Sequence, residues 1–294
     1  MSSPGTDPLA LLATPLQLIG RDGIELAADA YGDPSHPPVL LLHGGGQTRF
    51  AWGATAAQLA AEGWYAVSMD LRGHGESAWD DAGDYSVNAY VADLRAVVPQ
   101  LSAKPVLVGA SLGGIASLLA EGEDEGSLCA AIVLVDIAPK IEGSGALRII
   151  QFMQGSADGF ASLEEAADAV AAYLPHRERP SDLSGLAKNL RTLPSGRLRW
   201  HWDPRFLQAG HGPKPGEQPE RLRVAARKLR VPTLLVRGKL SDLLSEAGAR
   251  DFLDLVPHAR FADVSDAGHM VAGDRNDRFS SAVIEFLREV RANP

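Results

Sequence analysis

Val106-Leu107-Val108-Gly109-Ala110-Ser111-Leu112-Gly113-Gly114 is the stretch on which the fold of this chain turns. Pro105 leads into a β-branched apolar run, the signature of a buried strand. From Leu112 to Ala120 the residues are small and apolar, with no breaker after Gly114, so the spacing predicts a helix. Between the two lies Gly-x-Ser-x-Gly, centred on Ser111. Glycine at 109 and 113 removes side chains that would collide where a strand turns sharply into a helix. Such a turn carries the Ser111 hydroxyl beyond the carboxyl end of a sheet. It also aims the unpaired N–H groups of the helix start at whatever the serine attacks.

Working outward, strands and helices alternate. Leu16–Ile19 and Ile24–Ala30 read as strands around a turn at Arg21-Asp22-Gly23. Val39–Leu42 is an apolar strand that stops at His43-Gly44-Gly45-Gly46, and Trp52–Ala61 follows as a helix. Trp64–Met69 is closed by Asp70-Leu71-Arg72-Gly73-His74-Gly75-Glu76-Ser77. Ser86 is placed to cap a helix whose Val87, Tyr90, Val91, Leu94 and Val98 share one face. Ala131–Val135 is the sixth strand and ends at Asp136.

Beyond Pro139 strands vanish from the pattern, and helical pieces alternate with Gly- and Pro-rich loops. Strand and helix resume at Val231–Val236, Leu244–Leu255 and Ala259–Val264, and a last helix carries Phe279, Val283, Phe286, Leu287 and Val290. Alternation with doubly buried strands implies an α/β fold, a mostly parallel sheet covered by helices. The expected organisation is a core of residues 1–138 and 226–294 with a helical cap, residues 139–225, inserted after the sixth strand. Ligands bind beyond the carboxyl ends of such sheets, so the cap would roof the space around Ser111.

Composition narrows the partners. The 294 residues carry a formal net charge of −9, which argues against nucleic acid or an anionic membrane surface. No apolar run reaches membrane-spanning length. Met1–Pro15 has no Lys or Arg ahead of its short apolar Leu9–Ala13, so a cytoplasmic location is expected. The single cysteine, Cys129, excludes an intrachain disulfide and a cysteine metal site, and reads as a buried thiol.

A serine hydroxyl needs a base, and the base needs an acid to orient it. His269, in Asp266-Ala267-Gly268-His269-Met270, follows the last strand and is the candidate base. His43 and His74 precede the serine in glycine turns and read as structural. The acid has two candidates at strand ends, Asp242 in Gly238-Lys239-Leu240-Ser241-Asp242 and Asp136. Asp242 is preferred, because its strand should neighbour the one that leads to His269. Two N–H groups must face the developing oxyanion. Leu112, next to the nucleophile, and Gly45, in the glycine loop, are the candidates. In the cap, Phe152, Trp200, His201 and Trp202 are candidates for the pocket wall.

Taken together, His43–Gly46, Asp70–Ser77, Gly109–Gly113, Gly238–Asp242 and Gly268-His269 resemble the α/β-hydrolase superfamily, in its capped epoxide-hydrolase-like and esterase-like branch. The resemblance covers nearly the whole chain except the cap. It implies no metal and no organic cofactor. Epoxide hydrolases and haloalkane dehalogenases of this shape carry aspartate where this chain has Ser111, so acyl transfer is the expected chemistry. The resulting expectation is a carboxylesterase acting on a small-molecule ester, with aliphatic polyesters also open, in a monomer or homodimer. Carbon–carbon bond or lactone hydrolysis with the same triad is the alternative. It would want a cap arginine (Arg191, Arg197 or Arg199) for an acidic substrate. Perhydrolysis is a possible side activity, and a small-molecule receptor is the reading from another functional class.

Overall fold

The computed structural model describes residues 12–155, 158–175, 179, 181–212, 218–265, 267–269 and 276–292. Its central sheet has the order β1-β2-β4-β3-β5-β6-β9-β10. The strands are β1 (Thr14–Ile19), β2 (Glu25–Tyr31), β3 (Pro38–Leu42), β4 (Tyr65–Met69), β5 (Val106–Ala110), β6 (Ala131–Val135), β9 (Thr233–Gly238) and β10 (Arg260–Val264). β1 and β2 run antiparallel to their neighbours, and every pairing from β4 to β10 is parallel. This is the α/β-hydrolase fold that the motifs imply.

Strand periodicity sorts the core into two layers. Leu40, Leu42, Leu107, Ile132 and Leu134 point to the face covered by α2 (Val87–Val97) and α3 (Leu112–Gly122). Val39, Leu41, Val106, Val108 and Val133 point to the other, where Trp52, just ahead of α1 (Gly53–Ala61), packs with Leu59 of that helix and with Phe279 and Val283 of the C-terminal helix (Asn276–Ala292). Both faces are buried, which is why these strands are continuously apolar rather than alternating. Ser86 caps α2, its hydroxyl accepting from the Ala89 N–H. Cys129 is buried, and that burial raises its thiol pKa.

Between β6 and β9 lie α4 (Gly143–Gln154), α5 (Leu163–Tyr173), α6 (Ser184–Ala187), a hairpin of β7 (Leu190–Thr192) and β8 (Leu198–Trp200), and α7 (Pro219–Lys228). The hairpin corrects the expectation that this segment lacks strands. Its two three-residue strands are too short for a periodicity to register, and only the Pro194-Ser195-Gly196 turn announces them. Helix α7 packs on α3: a Cβ at Gly122 would lie 2.4 Å from the Ala225 carbonyl oxygen. The expected cap boundary at residue 225 falls inside this helix. The insert is tied to the core by hydrogen bonds. The Gly75 N–H donates to the His201 carbonyl (2.6 Å), the Asp203 N–H to the Gly73 carbonyl (2.8 Å) and the Tyr85 hydroxyl to the Asp203 carboxylate (2.5 Å).

Candidate active site

Ser111 stands between β5 and α3 with φ +45° and ψ −111°, a conformation an L-residue adopts only at a cost of about 1–3 kcal/mol. The glycines on either side of it are closely packed. A Cβ at Gly109 would lie 2.5 Å from the Gly113 carbonyl carbon, and one at Gly113 would lie 2.6 Å from the Leu42 carbonyl oxygen. The helix therefore starts directly against the ends of β3 and β5, and Ser111 is pushed into the space beyond the sheet.

That space is a cavity of about 940 Å³, at the upper end of the range typical of small-molecule sites. Ser111, Leu112, Gly45 and His269 line its floor, and Phe152, Met153, Trp200, Trp202 and Phe206 of the insert line its roof. Three of the four expected cap residues are thus in the wall. His201 is not. Trp200 at the end of β8 and Trp202 just beyond it both line the cavity while His201, in the bend between them, does not, and burial together with Arg191 lowers its pKa. Arg191, Arg197 and Arg199 are not in the wall either. Arg191 and Arg199 lie against the Trp79 ring outside the cavity, and Arg197 donates to the carbonyls of Asp158 and Gly159. Arg179 does line the cavity, but its guanidinium is engaged by Asp168.

His269 Nδ1 donates to the Asp136 carboxylate, 2.7 Å from Oδ2. Asp136 is fully buried, takes φ +52° at the end of β6, and also accepts from the Gly238 N–H (3.1 Å) and the Ser241 hydroxyl (2.5 Å). The preference for Asp242 as the partner of His269 is therefore not met. The Asp242 side chain is 38 % exposed, and its carboxylate pairs with Arg148 of α4 at 3.0 Å. The strand adjacency behind that preference is real, since β9 does pair with β10, but β9 pairs with β6 as well. The choice is made by the loop after β9. The Ser241 N–H folds back onto the Gly238 carbonyl, which turns Ser241 inward and leaves the next residue outward. Asp266 and Met270, beside the histidine, lie outside the described residues.

In the loop after β3, the Gly44 N–H donates to the Gln47 side chain (2.8 Å) and the Gly46 N–H to His74 Nε2 (3.1 Å). The N–H groups of Gly45 and Leu112 have no partner among the described residues, and both residues border the cavity beside Ser111. His43 and His74 buttress this loop. His43 Nε2 accepts from the Leu71 N–H, so Nδ1 carries the proton and donates to the Gly44 carbonyl. By the same reasoning His74 Nδ1 donates to the Arg72 carbonyl. Burial lowers their pKa values to about 4 and about 3, so both rings are neutral at neutral pH. The remainder of Asp70–Ser77 is scaffold: Asp70 accepts from the Arg49 backbone and side chain, and Arg72 forms a two-pronged pair with Asp93.

Among the described residues no group of three or more His, Cys, Asp or Glu side chains is gathered as a metal ion would need. Nor is any described helix long and apolar enough to cross a membrane.

Comparison with known proteins agrees with this fold. The profile of the alpha/beta hydrolase family matches residues 39–282. An esterase of Mycobacterium tuberculosis is 30 % identical, over 97 % of this chain and 96 % of its own. A 3-hydroxybutyrate-oligomer hydrolase of Cupriavidus necator is 26 % identical, over 86 % of this chain and 90 % of its own. Among solved structures, an alpha/beta hydrolase from Novosphingobium aromaticivorans superposes with a TM-score of 0.79 at 27 % identity, covering 95 % of this chain and 98 % of that one.

Proposed function

We propose that this chain, which belongs to the alpha/beta hydrolase family, cleaves carboxylic esters through an acyl-enzyme on Ser111. The observation that carries the proposal is the sharing of one apolar cavity by a serine at a strained strand–helix turn and a histidine bonded to a buried carboxylate. The esterase and the 3-hydroxybutyrate-oligomer hydrolase among its relatives support the bond type.

In the proposed reaction the Ser111 oxygen attacks the ester carbonyl carbon while His269 takes the hydroxyl proton through Nε2. Asp136 holds Nδ1–H, which fixes the tautomer and balances the imidazolium. Negative charge that collects on the carbonyl oxygen is met by the N–H groups of Leu112 and Gly45. The carbon–alkoxide bond then breaks, and His269 gives its proton to the leaving oxygen. Water repeats the sequence on the acyl-enzyme, releasing the acid and restoring Ser111.

The pocket wall argues for uncharged, apolar esters. Its roof is aromatic, and among the described residues the arginines considered for an acidic carbon–carbon or lactone substrate lie outside the cavity, while Arg179 in the wall is paired with Asp168. Hydrolysis of p-nitrophenyl esters from acetate to decanoate tests the proposal. Wild type should turn over the series, and Ser111→Ala should fall by several powers of ten. Retention of activity in Ser111→Ala would rule out the mechanism.

A further inference from the structure

The geometry points to Ser241 as a positioning residue for the acid of the triad, an inference that rests on the mechanism just proposed. A serine hydroxyl has one proton to give and two lone pairs to fill. The Leu243 and Leu244 N–H groups donate to Ser241 Oγ at 3.1 and 3.2 Å, which fills both lone pairs. The single proton is thereby committed to Asp136 Oδ2, 2.5 Å away. Ser241 is a donor of fixed direction rather than a rotor.

The bond falls on the oxygen that also receives His269. Oδ2 accepts from both Ser241 and His269, while Oδ1 accepts from the Gly238 N–H. Two anchors on the two oxygens define the plane of the carboxylate. With only the Gly238 bond the group could swing about its terminal torsion, a broad and soft one, and carry Oδ2 away from the imidazole. Charge-assisted bonds of this kind are short and strong, and the accepting carboxylate of Asp136 is fully buried.

The same loop also braces the histidine. The Lys239 N–H donates to the Val264 carbonyl (2.9 Å), and the Leu240 N–H donates to the Ala267 carbonyl (2.8 Å). A Cβ at Gly238 would lie 2.1 Å from the Gly268 carbonyl oxygen, so the two loops are pressed together just before His269. Residues 238–241 therefore hold the acid by one edge and the segment bearing the base by the other. Asp242, the next residue, turns away to Arg148 of the insert.

The test is steady-state kinetics of Ser241→Ala and Ser241→Thr on an ester that wild type hydrolyses, with Ser111→Ala and Asp136→Asn alongside. Ser241→Ala should lower kcat by about 10- to 100-fold, the loss expected for one hydrogen bond to a charged group, with KM unchanged because Ser241 does not line the cavity. Threonine, which keeps the hydroxyl, should restore kcat to within a few-fold. Wild-type kcat in Ser241→Ala beside an inactive Ser111→Ala overturns the inference and leaves the triad standing. Unchanged activity in both Ser111→Ala and Asp136→Asn overturns the triad and this role with it. A loss that threonine does not restore, with a fall in Tm, makes Ser241 a folding element of its loop and likewise overturns the proposal.

Discussion

His269 and Asp136 are 133 positions apart in the chain and 2.7 Å apart in space, joined from Nδ1 to Oδ2. The consequence is a sharp contrast between two aspartates. Asp136→Asn should reduce kcat on p-nitrophenyl butyrate by about 10²–10⁴, because an amide facing Nδ1 favours the wrong tautomer. Asp242→Asn removes only a partly exposed ion pair and should change kcat by no more than a few-fold. The reverse ranking would return the role to Asp242.

The turn at Ser111 depends on contact as much as on conformation. Gly113→Ala puts a methyl 2.6 Å from the Leu42 carbonyl oxygen and 2.8 Å from that of His43, both rigid backbone. The expected cost is about 1–3 kcal/mol of stability or more, read as a lower midpoint in urea. Activity should fall further than stability, since the same displacement moves Ser111 relative to His269.

Acid should loosen the fold through His43 and His74. Both have folded pKa values below the ordinary 6.5, at about 4 and about 3, because burial disfavours the imidazolium. Below pH 6.5 the unfolded chain takes up protons that the folded chain refuses, so stability falls as pH falls. Their contribution is fully present above pH 6.5 and is lost progressively towards pH 4 for His43 and pH 3 for His74. Thermal melts from pH 7.5 down to pH 4.5 should show a falling Tm. In His43→Gln that slope should be shallower, whatever the variant costs at neutral pH.

Phe206 sets the room beside the glycine loop. Its ring edge lies 3.2 Å from where a Cβ of Gly45 would stand, and it packs edge-on against His74. Phe206→Ala should raise kcat/KM for bulky branched esters relative to acetate by about tenfold, at a cost of about 3–5 kcal/mol of stability. An unchanged ester preference would place the size limit elsewhere in the wall.

The fold was legible because its cues are local. Apolar strands, breaker-free helices and the Gly109–Gly113 turn are each confined to a short window, and the glycines are demanded by contacts within that window or with the adjacent strand. His269 could be found for the same reason: it follows the last strand and precedes the last helix. The β7–β8 hairpin was missed because three residues carry no measurable period.

The amino-acid sequence by itself determined the sheet, the place of Ser111 at its edge, the loop that offers Gly45 and the aromatic character of the insert. Only the tertiary structure decided which carboxylate meets His269 and which side of Trp200–Trp202 faces the cavity. Both are questions of side-chain direction at the end of an element. A one-residue change in a turn exchanges Ser241 for Asp242, and the bend that follows β8 leaves His201 out of the wall between Trp200 and Trp202. Sequence spacing brings such groups to the same neighbourhood, and the backbone torsions of the folded loop choose among them.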